Sequence, residues 1–205
     1  VVGLLDRAEK LFMRVVDEPD HREAALHQLV VIFQQTREWS KAIEYASALV
    51  KLGRKRIKKD IAHYYCELAM QEQGEGNTKK SINLLKKALT EDSRCVRASI
   101  TLGKIYLSQE DYINTVRYLE QVIDQDIDFV GQVLPTIAEC YQKLDREGDL
   151  LAFLHRCIEK KAGVSAELML AQLVANHDGV AAAQTLLTRQ LVKNPTMKGF
   201  YRLMN

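Results

Sequence analysis

The feature that most constrains this chain is a small residue that returns at a nearly fixed interval. Ala69 lies 34 residues before Gly103, Ala138 lies 35 after it, and Ala171 follows 33 later. Each is preceded by an aliphatic residue: Leu68, Leu102, Ile137 and Leu170. Tyr106 and Tyr141 occupy equivalent places, as do Phe33 and Val174. A second register aligns Ala42, Ser81, Thr115, Leu150 and Ala183, and four residues later Ala46, Leu85, Leu119, Leu154 and Leu187. Around both registers apolar residues recur at three- and four-residue steps, as paired amphipathic helices require. The stretch from Val96 to Asp126 is the clearest copy, with Glu110 and Asp111 as turn residues between its two halves.

A period near 34, with one small residue in a first helix and another early in a second, is the tetratricopeptide pattern. Small side chains let two helices approach closely, and larger ones fill the space to the next pair. The expected fold is therefore all-α: a tetratricopeptide-repeat (TPR), right-handed superhelical solenoid of antiparallel helix pairs. Residues 1–205 read as one such solenoid, with hairpins at about 23–54, 62–93, 96–127, 131–162 and 164–195. Partial repeats are expected at 1–20, a lone second helix with Ala8, Phe12 and Val15 in the matching places, and at 197–205. The 23–54 copy is weaker, with Val30 where the small residue belongs. The spacing from Val30 to Ala69 is 39, which puts about five extra residues near 51–59. The 62–93 copy carries Glu72 where a tyrosine is usual, and its turn contains Gly74 and Gly76. Both ends cut the pattern mid-repeat, so the chain reads as an excised fragment, since solenoids normally end in capping repeats.

Composition agrees with a soluble globular protein: 47% apolar and 27% charged residues. Three prolines and ten glycines are too few for a turn-rich β-sandwich. A net charge of +2 argues against a dedicated nucleic-acid binder, whose affinity comes from neutralised phosphates. No apolar run approaches the ~18 residues needed to span a bilayer, and no secretory signal opens the sequence.

Little in the sequence suggests catalysis. Cys66, Cys95, Cys140 and Cys157 have no CxxC spacing and read as reduced, half-buried thiols. The histidines, His21, His27, His63, His155 and His177, are scattered. His21, Glu23 and His27 could put metal ligands on one helical face, but surface histidines are the plainer reading. No HExxH occurs, and the GEG at 74–76 is a turn rather than a phosphate cradle. No enzymatic activity, catalytic residue or metal ligand is expected here.

Two surfaces could meet a partner. The basic run Lys51, Arg54, Lys55, Arg56, Lys58 and Lys59 falls in the inter-repeat insertion. It suits contact with anionic lipid headgroups or an acidic partner. Equally, it suits a solvated helix end whose cations complement the macrodipole. In a tetratricopeptide solenoid the exposed positions of the first helices line a concave groove. Those positions are His27, Gln28, Val31, Gln34 and Gln35, then His63, Cys66, Glu67 and Met70, then Arg97, Ile100, Thr101 and Lys104. Thr136, Glu139, Gln142 and Lys143 continue the series, followed by Leu168, Met169 and Gln172. The set lacks a Lys/Asn/Arg clamp for a C-terminal carboxylate, which disfavours a chaperone-tail receptor.

Finer detail resembles one family. The stretch LLDRAEKLFMRVVDEPDHREAALHQLVVIFQQTREWSKAIEYASALVKLGRK, the segment IAHYYCELAMQ, and AELMLAQLVANHDGVAAAQTLLTRQLVKNPTMKGFYRLM look like the lipopolysaccharide assembly protein B (LapB, YciM) family. The resemblance runs from Leu4 to Met204. It implies a bacterial inner-membrane protein with one N-terminal transmembrane helix, repeats on the cytoplasmic side, and a C-terminal rubredoxin-like domain holding iron or zinc on two cysteine pairs. None of the four cysteines here matches those ligands, so no cofactor is expected in these residues. The family acts as a non-enzymatic adaptor in the regulation of lipopolysaccharide biosynthesis. It promotes degradation of the deacetylase LpxC by the membrane protease FtsH, opposed by a membrane sensor of lipopolysaccharide. The resemblance thus implies those proteins as partners; separately, the near-balanced charge implies no nucleic acid, the basic insertion suits an anionic membrane surface, and a dimer is one oligomeric state open to the chain. The alternative is a structural spacer or a general interaction module in an envelope biosynthesis complex.

Overall fold

In the computed structural model, residues 2–193 are described, with side chains described over 3–189. The expected partial repeat at 197–205 lies outside the described residues, as does the whole NPTM segment. Every regular element among the described residues is a helix. The backbone divides into two compact units, Val1–Ile105 and Tyr106–Asn205.

The first unit contains α1 (Val2–Val15), α2 (Arg22–Gln35), α3 (Trp39–Lys51), a 3-10 turn at Lys55–Ile57, α4 (Lys58–Gly74), α5 (Thr78–Glu91) and most of α6 (Val96–Ser108). Consecutive helices pack on one another: α1 on α2, α2 on α3, α3 on α4, and α4 on α5. Short turns between long helices leave an antiparallel arrangement as the simple solution. Ala42 and Ala46 are fully buried on α3, in one cluster with Leu26, Leu29 and Phe33 of α2. Ile61 and Tyr64 of α4 close that cluster from the next pair. Phe33 stacks on Tyr45 at 5.3 Å, and Trp39 stacks on Tyr64 at 5.9 Å. The 3-10 turn at Lys55–Ile57 takes up the extra residues that stretch the Val30–Ala69 interval.

The second unit contains the end of α6, then α7 (Tyr112–Leu119), α8 (Val122–Gln125), a 3-10 turn at Ile127–Phe129, α9 (Val130–Lys143), α10 (Glu147–Glu159), α11 (Val164–Asp178) and α12 (Val180–Lys193). α9 packs on α7, α10 on α9 and α11, and α11 on α12. Its core holds Leu134, Ile137, Leu150, Leu154, Cys157 and Leu170. The periodicity reads as one second helix through Ile123, but the helix breaks at Glu120 and Gln121. There, Ile123 N–H and Asp124 N–H bond the carbonyls of Glu120 and Gln121, three residues back, in the tighter 3-10 manner.

The helix ends follow one rule. α2, α4, α6 and α9 each close through a pair of bonds around a left-handed residue: Arg37, Gly76, Glu110 and Asp145. The residue after it donates back five positions, to the carbonyls of Phe33, Glu72, Tyr106 and Tyr141. This is the Schellman arrangement. The aromatic register noticed in the sequence is thus also the register of the capping carbonyl. Glu72 departs from the aromatic habit and compensates with polar partners: Asn77 Nδ2 donates to its carboxylate at 2.9 Å, and Lys80 Nζ pairs with it at 2.5 Å. Tyr106 stacks on Tyr118 at 5.6 Å, and Tyr141 Oη donates to Glu120 Oε1 at 2.8 Å.

Candidate protein-interaction surface

Helix geometry sorts the first-helix residues into stripes, because positions i, i+4 and i+7 share one face. On α2, His27, Val31 and Gln34 form such a stripe, flanked by Gln28 and Gln35, and all five are exposed. Val31 is 44% exposed, although α2 buries Ala25, Leu26, Leu29, Val30, Ile32 and Phe33. On α4 the stripe is His63, Glu67 and Met70, with Met70 50% exposed. On α6 it is Arg97, Thr101 and Lys104, of which Lys104 is exposed and Arg97, Ile100 and Thr101 are half-buried.

Polar contacts tie these stripes together within the first unit. Arg97 Nη1 donates to Glu67 Oε1 at 2.5 Å and lies 3.3 Å from His63 Nδ1. Its Nη2 reaches Met70 Sδ at 2.8 Å. From α4, Tyr64 Oη donates to Gln34 Oε1 on α2 at 3.1 Å. The Arg97 charge is therefore answered by Glu67. What the surface offers is amides, imidazoles, two exposed apolar side chains and the Lys104 ammonium, a mixture suited to an extended peptide or a folded protein face.

In the second unit, Glu139, Gln142 and Lys143 are exposed on α9 and Thr136 is half-buried. Leu168 and Gln172 are exposed on α11 and Met169 is half-buried. A cleft of ≈ 340 Å³ is lined there by residues that include Tyr141, Asp145, Arg146, Glu147 and Asn176. Much of its polar lining is engaged internally: Arg146 Nε donates to Asp149 Oδ2 at 2.6 Å, and His177 Nε2 lies 2.7 Å from Glu147 Oε1. Burial and the neighbouring Glu120 carboxylate hold the Tyr141 phenol well above its ordinary pKa.

One expected groove residue is misplaced. Cys66 is buried, only 1% exposed. It shares the i, i+4, i+7 row of Ala62, Cys66 and Ala69, all packed inward, so the anchor Ala69 already fixed its direction. The thiols are also more buried than half-buried, since Cys66, Cys140 and Cys157 are all interior and Cys95 alone is intermediate. Burial pushes the Cys140 and Cys157 thiols up to about 11. No spacing pattern pairs Cys66 with Cys95, yet their sulfurs stand 3.8 Å apart.

The basic insertion splits into parts. Lys51 lies in the last turn of α3, where a cation suits the helix dipole. Lys55, Arg56, Lys58 and Lys59 precede or open α4 instead, the end at which the dipole disfavours cations. Macrodipole complementarity therefore does not account for them. Arg54 forks onto Glu23, with Nε 2.6 Å from Oε1 and Nη2 2.9 Å from Oε2, and Lys58 pairs with Glu91 at 3.3 Å. Lys55, Arg56 and Lys59 are exposed.

Among the described residues no group of three or more His, Cys, Asp or Glu side chains is placed to hold a metal ion. His27 lies 3.9 Å from Glu23 as an ordinary i, i+4 pair. Among the described residues, no helix is long and apolar enough to cross a membrane.

No family model matches the chain. Over 203 residues, 99% of its length, it is 42% identical to lipopolysaccharide assembly protein B of Escherichia coli strain K12. It is 38% identical over 204 residues to the protein of that name from Haemophilus influenzae. The chain spans about half the length of these relatives, 52% and 51%. Among solved structures, it aligns with YrrB, described as a TPR protein with an unusual peptide-binding site. The identity there is 18%, the coverage 79% of this chain and 81% of that one, and the TM-score 0.44. By its whole-length similarity to these curated relatives, the chain belongs to the lipopolysaccharide assembly protein B family.

Proposed function

We propose that this chain is a non-catalytic scaffold in the control of lipopolysaccharide biosynthesis, at the cytoplasmic side of the bacterial inner membrane. In this reading it brings the deacetylase LpxC to the protease FtsH. The observation that carries the proposal is the 42% identity over nearly the whole chain to a protein named for lipopolysaccharide assembly. The side-chain arrangement supports it: the first unit presents tied, largely polar stripes on α2, α4 and α6, with Val31 and Met70 exposed among them. An adaptor works by effective concentration, since holding substrate and protease together makes capture quasi-intramolecular. A surface already cross-tied by Arg97, Glu67 and Tyr64 loses little ordering entropy on binding. The exposed cations Lys55, Arg56 and Lys59 would face an anionic surface, each worth about 1 kcal/mol near anionic lipid.

The test is co-purification of the full-length protein with LpxC and with FtsH. Charge reversal at Lys104 probes the surface directly. Arg97 is a poorer probe, because reversal there also leaves Glu67 without its partner. Loss of capture by K104E with the fold intact supports the adaptor reading. If a helical replacement of residues 96–162 keeps full capture and full turnover of the deacetylase, the repeats are a spacer and the reading fails.

A further inference from the structure

Cys66 and Cys95 are 29 positions apart in sequence, one in the middle of α4 and the other in the turn that opens α6. Their sulfurs are 3.8 Å apart. The turn that places Cys95 is built by local bonds. Arg94 N–H donates to Asp92 Oδ1 at 3.0 Å, and Cys95 N–H donates to the Asp92 carbonyl at 3.0 Å. Cys95 thereby occupies the N-terminus of α6, where its carbonyl accepts from Ala98 N–H at 3.0 Å. Cys66 is held by packing in the buried row with Ala62 and Ala69. Neither sulfur is used by the proposed interaction surface.

The two thiols are chemically unequal. The neighbouring Cys66 thiol and the backbone N–H of Ala98 at the start of α6 both favour the Cys95 thiolate. Arg97 also favours that thiolate, while partial burial and Asp92 oppose it. The contact with Cys95, burial and the nearby Glu67 keep Cys66 protonated against the opposing Arg97. Cys95 is also the more accessible of the two. A reachable thiol that favours its thiolate, beside a buried partner, is the arrangement of a peroxidatic and a resolving cysteine.

We propose that Cys66 and Cys95 are a thiol-oxidation site that closes reversibly into a disulfide on reaction with a hydroperoxide. The Cys95 thiolate attacks the distal oxygen of the hydroperoxide. An S–O bond forms, the O–O bond breaks, and the alkoxide leaves as the alcohol on taking up a proton, or as water when the oxidant is hydrogen peroxide. Cys95 is then a sulfenic acid. The Cys66 sulfur, losing its proton, attacks the Cys95 sulfur; the S–S bond forms, the S–O bond breaks, and hydroxide leaves with that proton as water. Two thiols have lost two electrons and one hydroperoxide has gained them. Closure needs the sulfurs to approach to about 2.05 Å, a movement of side chains about their Cα–Cβ bonds and of the turn at 92–95. A dithiol reductant reverses the bond by exchange. The bridge would pin α4 to the start of α6, next to the Glu67–Arg97 pair.

The experiment treats the reduced full chain with hydrogen peroxide and reads intact mass, with peptide mapping under non-reducing conditions. A loss of about 2 Da on a Cys66–Cys95 linked peptide, restored by dithiothreitol, is the expected result. The Cys66→Ser variant should stop at a sulfenic acid on Cys95, a gain of about 16 Da that dimedone traps. Cys140→Ser and Cys157→Ser should still close the bridge. Oxidised wild type should melt higher by an amount on the order of 5–10 °C, since the closed loop restricts the unfolded chain. Phenylarsine oxide, which bridges two adjacent thiols, should bind the untreated wild type once and needs no variant that folds. Three results would each overturn the proposal: a bridge through Cys140 or Cys157, oxygen gain without loss of the two thiol hydrogens, or no reaction under conditions that oxidise free cysteine.

Discussion

Asn77 binds Glu72 twice, its backbone N–H to the Glu72 carbonyl at 2.8 Å and its side-chain Nδ2 to the Glu72 carboxylate at 2.9 Å. One residue thus closes the end of α4 and holds the carboxylate of a glutamate whose side chain is only 10% exposed. Lys80, from the next helix, supplies the compensating charge.

A pH dependence follows. The Lys80 ammonium, with help from Asn77, holds the Glu72 carboxyl below its ordinary value. Glu38 beside Lys41, and Glu23 beside Arg54, are lowered in the same way. Between the folded and unfolded pKa values the unfolded chain binds more protons, so stability rises with pH. The contribution is complete above the unfolded carboxylate value and is lost as pH falls through the lower folded value. Melting temperature should therefore be flat near neutrality and fall on acidification below about pH 5. The Glu72→Gln variant should melt lower at neutral pH and show a shallower acid limb. A limb of unchanged steepness in that variant would remove Glu72 from the account.

The left-handed cap positions give a second prediction. Glu110 has φ 57° and Gly76 has φ 81° at equivalent turns. A side chain pays a steric penalty in this region that glycine does not. Glu110→Gly should stabilise by up to about 1 kcal/mol, reduced by the greater freedom glycine gives the unfolded chain. Gly76→Ala should cost about 1 kcal/mol although a Cβ there meets nothing within 4 Å, because the penalty lies in the backbone. Urea midpoints at unchanged m-value measure both.

A third concerns the helix crossings. Ala69 is fully buried, and its neighbour Met70 is 50% exposed. Enlarging the first forces α4 away from what it packs on, whereas changing the second does not. Ala69→Leu should cost about 1–3 kcal/mol by overpacking. Met70→Leu should stay within about 0.5 kcal/mol of wild type. Equal effects from the two substitutions would mean that Ala69 is not a close-approach point.

The contrast between these positions also explains what the sequence could reveal. Close approach demands small side chains, so Ala69, Gly103, Ala138 and Ala171 leave a trace at a regular interval, and all four are buried. Ala42, Ser81 and Thr115 leave another, each fully buried. A left-handed cap leaves no such trace when Arg37, Glu110 or Asp145 fills it, because the penalty is small enough for any residue. The break at Glu120 is silent for a similar reason: a short 3-10 stretch keeps the apolar residues Val122 and Ile123 buried, so the pattern does not change. The Cys66–Cys95 contact joins residues whose separation, 29, fits neither register. Of the interaction residues, exposure of His27, Gln28, Val31, Gln34 and Gln35 follows from helical period alone. The neutralisation of Arg97 by Glu67 depends on how α4 and α6 sit together, which no single-helix pattern contains.

The interaction surface itself is tested by its exposed apolar side chains. Val31 and Met70 lie on α2 and α4 in the same stripes as His27, Gln34 and His63, and neither contributes to the buried core. Aspartate at Val31 should leave melting within a degree or two of wild type, since exposed positions away from caps and core rarely matter to stability, and aspartate at Met70, which gains Arg97 as a neighbour, should melt no lower than that. If these stripes receive the partner, each substitution buries a charge against it, and binding should weaken about tenfold, or about 1.4 kcal/mol. Asn83→Asp on the exposed side of α5 is the matched control, because it adds the same charge elsewhere. Titration of the three variants against purified LpxC and against FtsH separates the outcomes. Loss at Val31 and Met70 but not at Asn83 places a partner on these helices, and identical affinities for all three would move the contact away from α2 and α4.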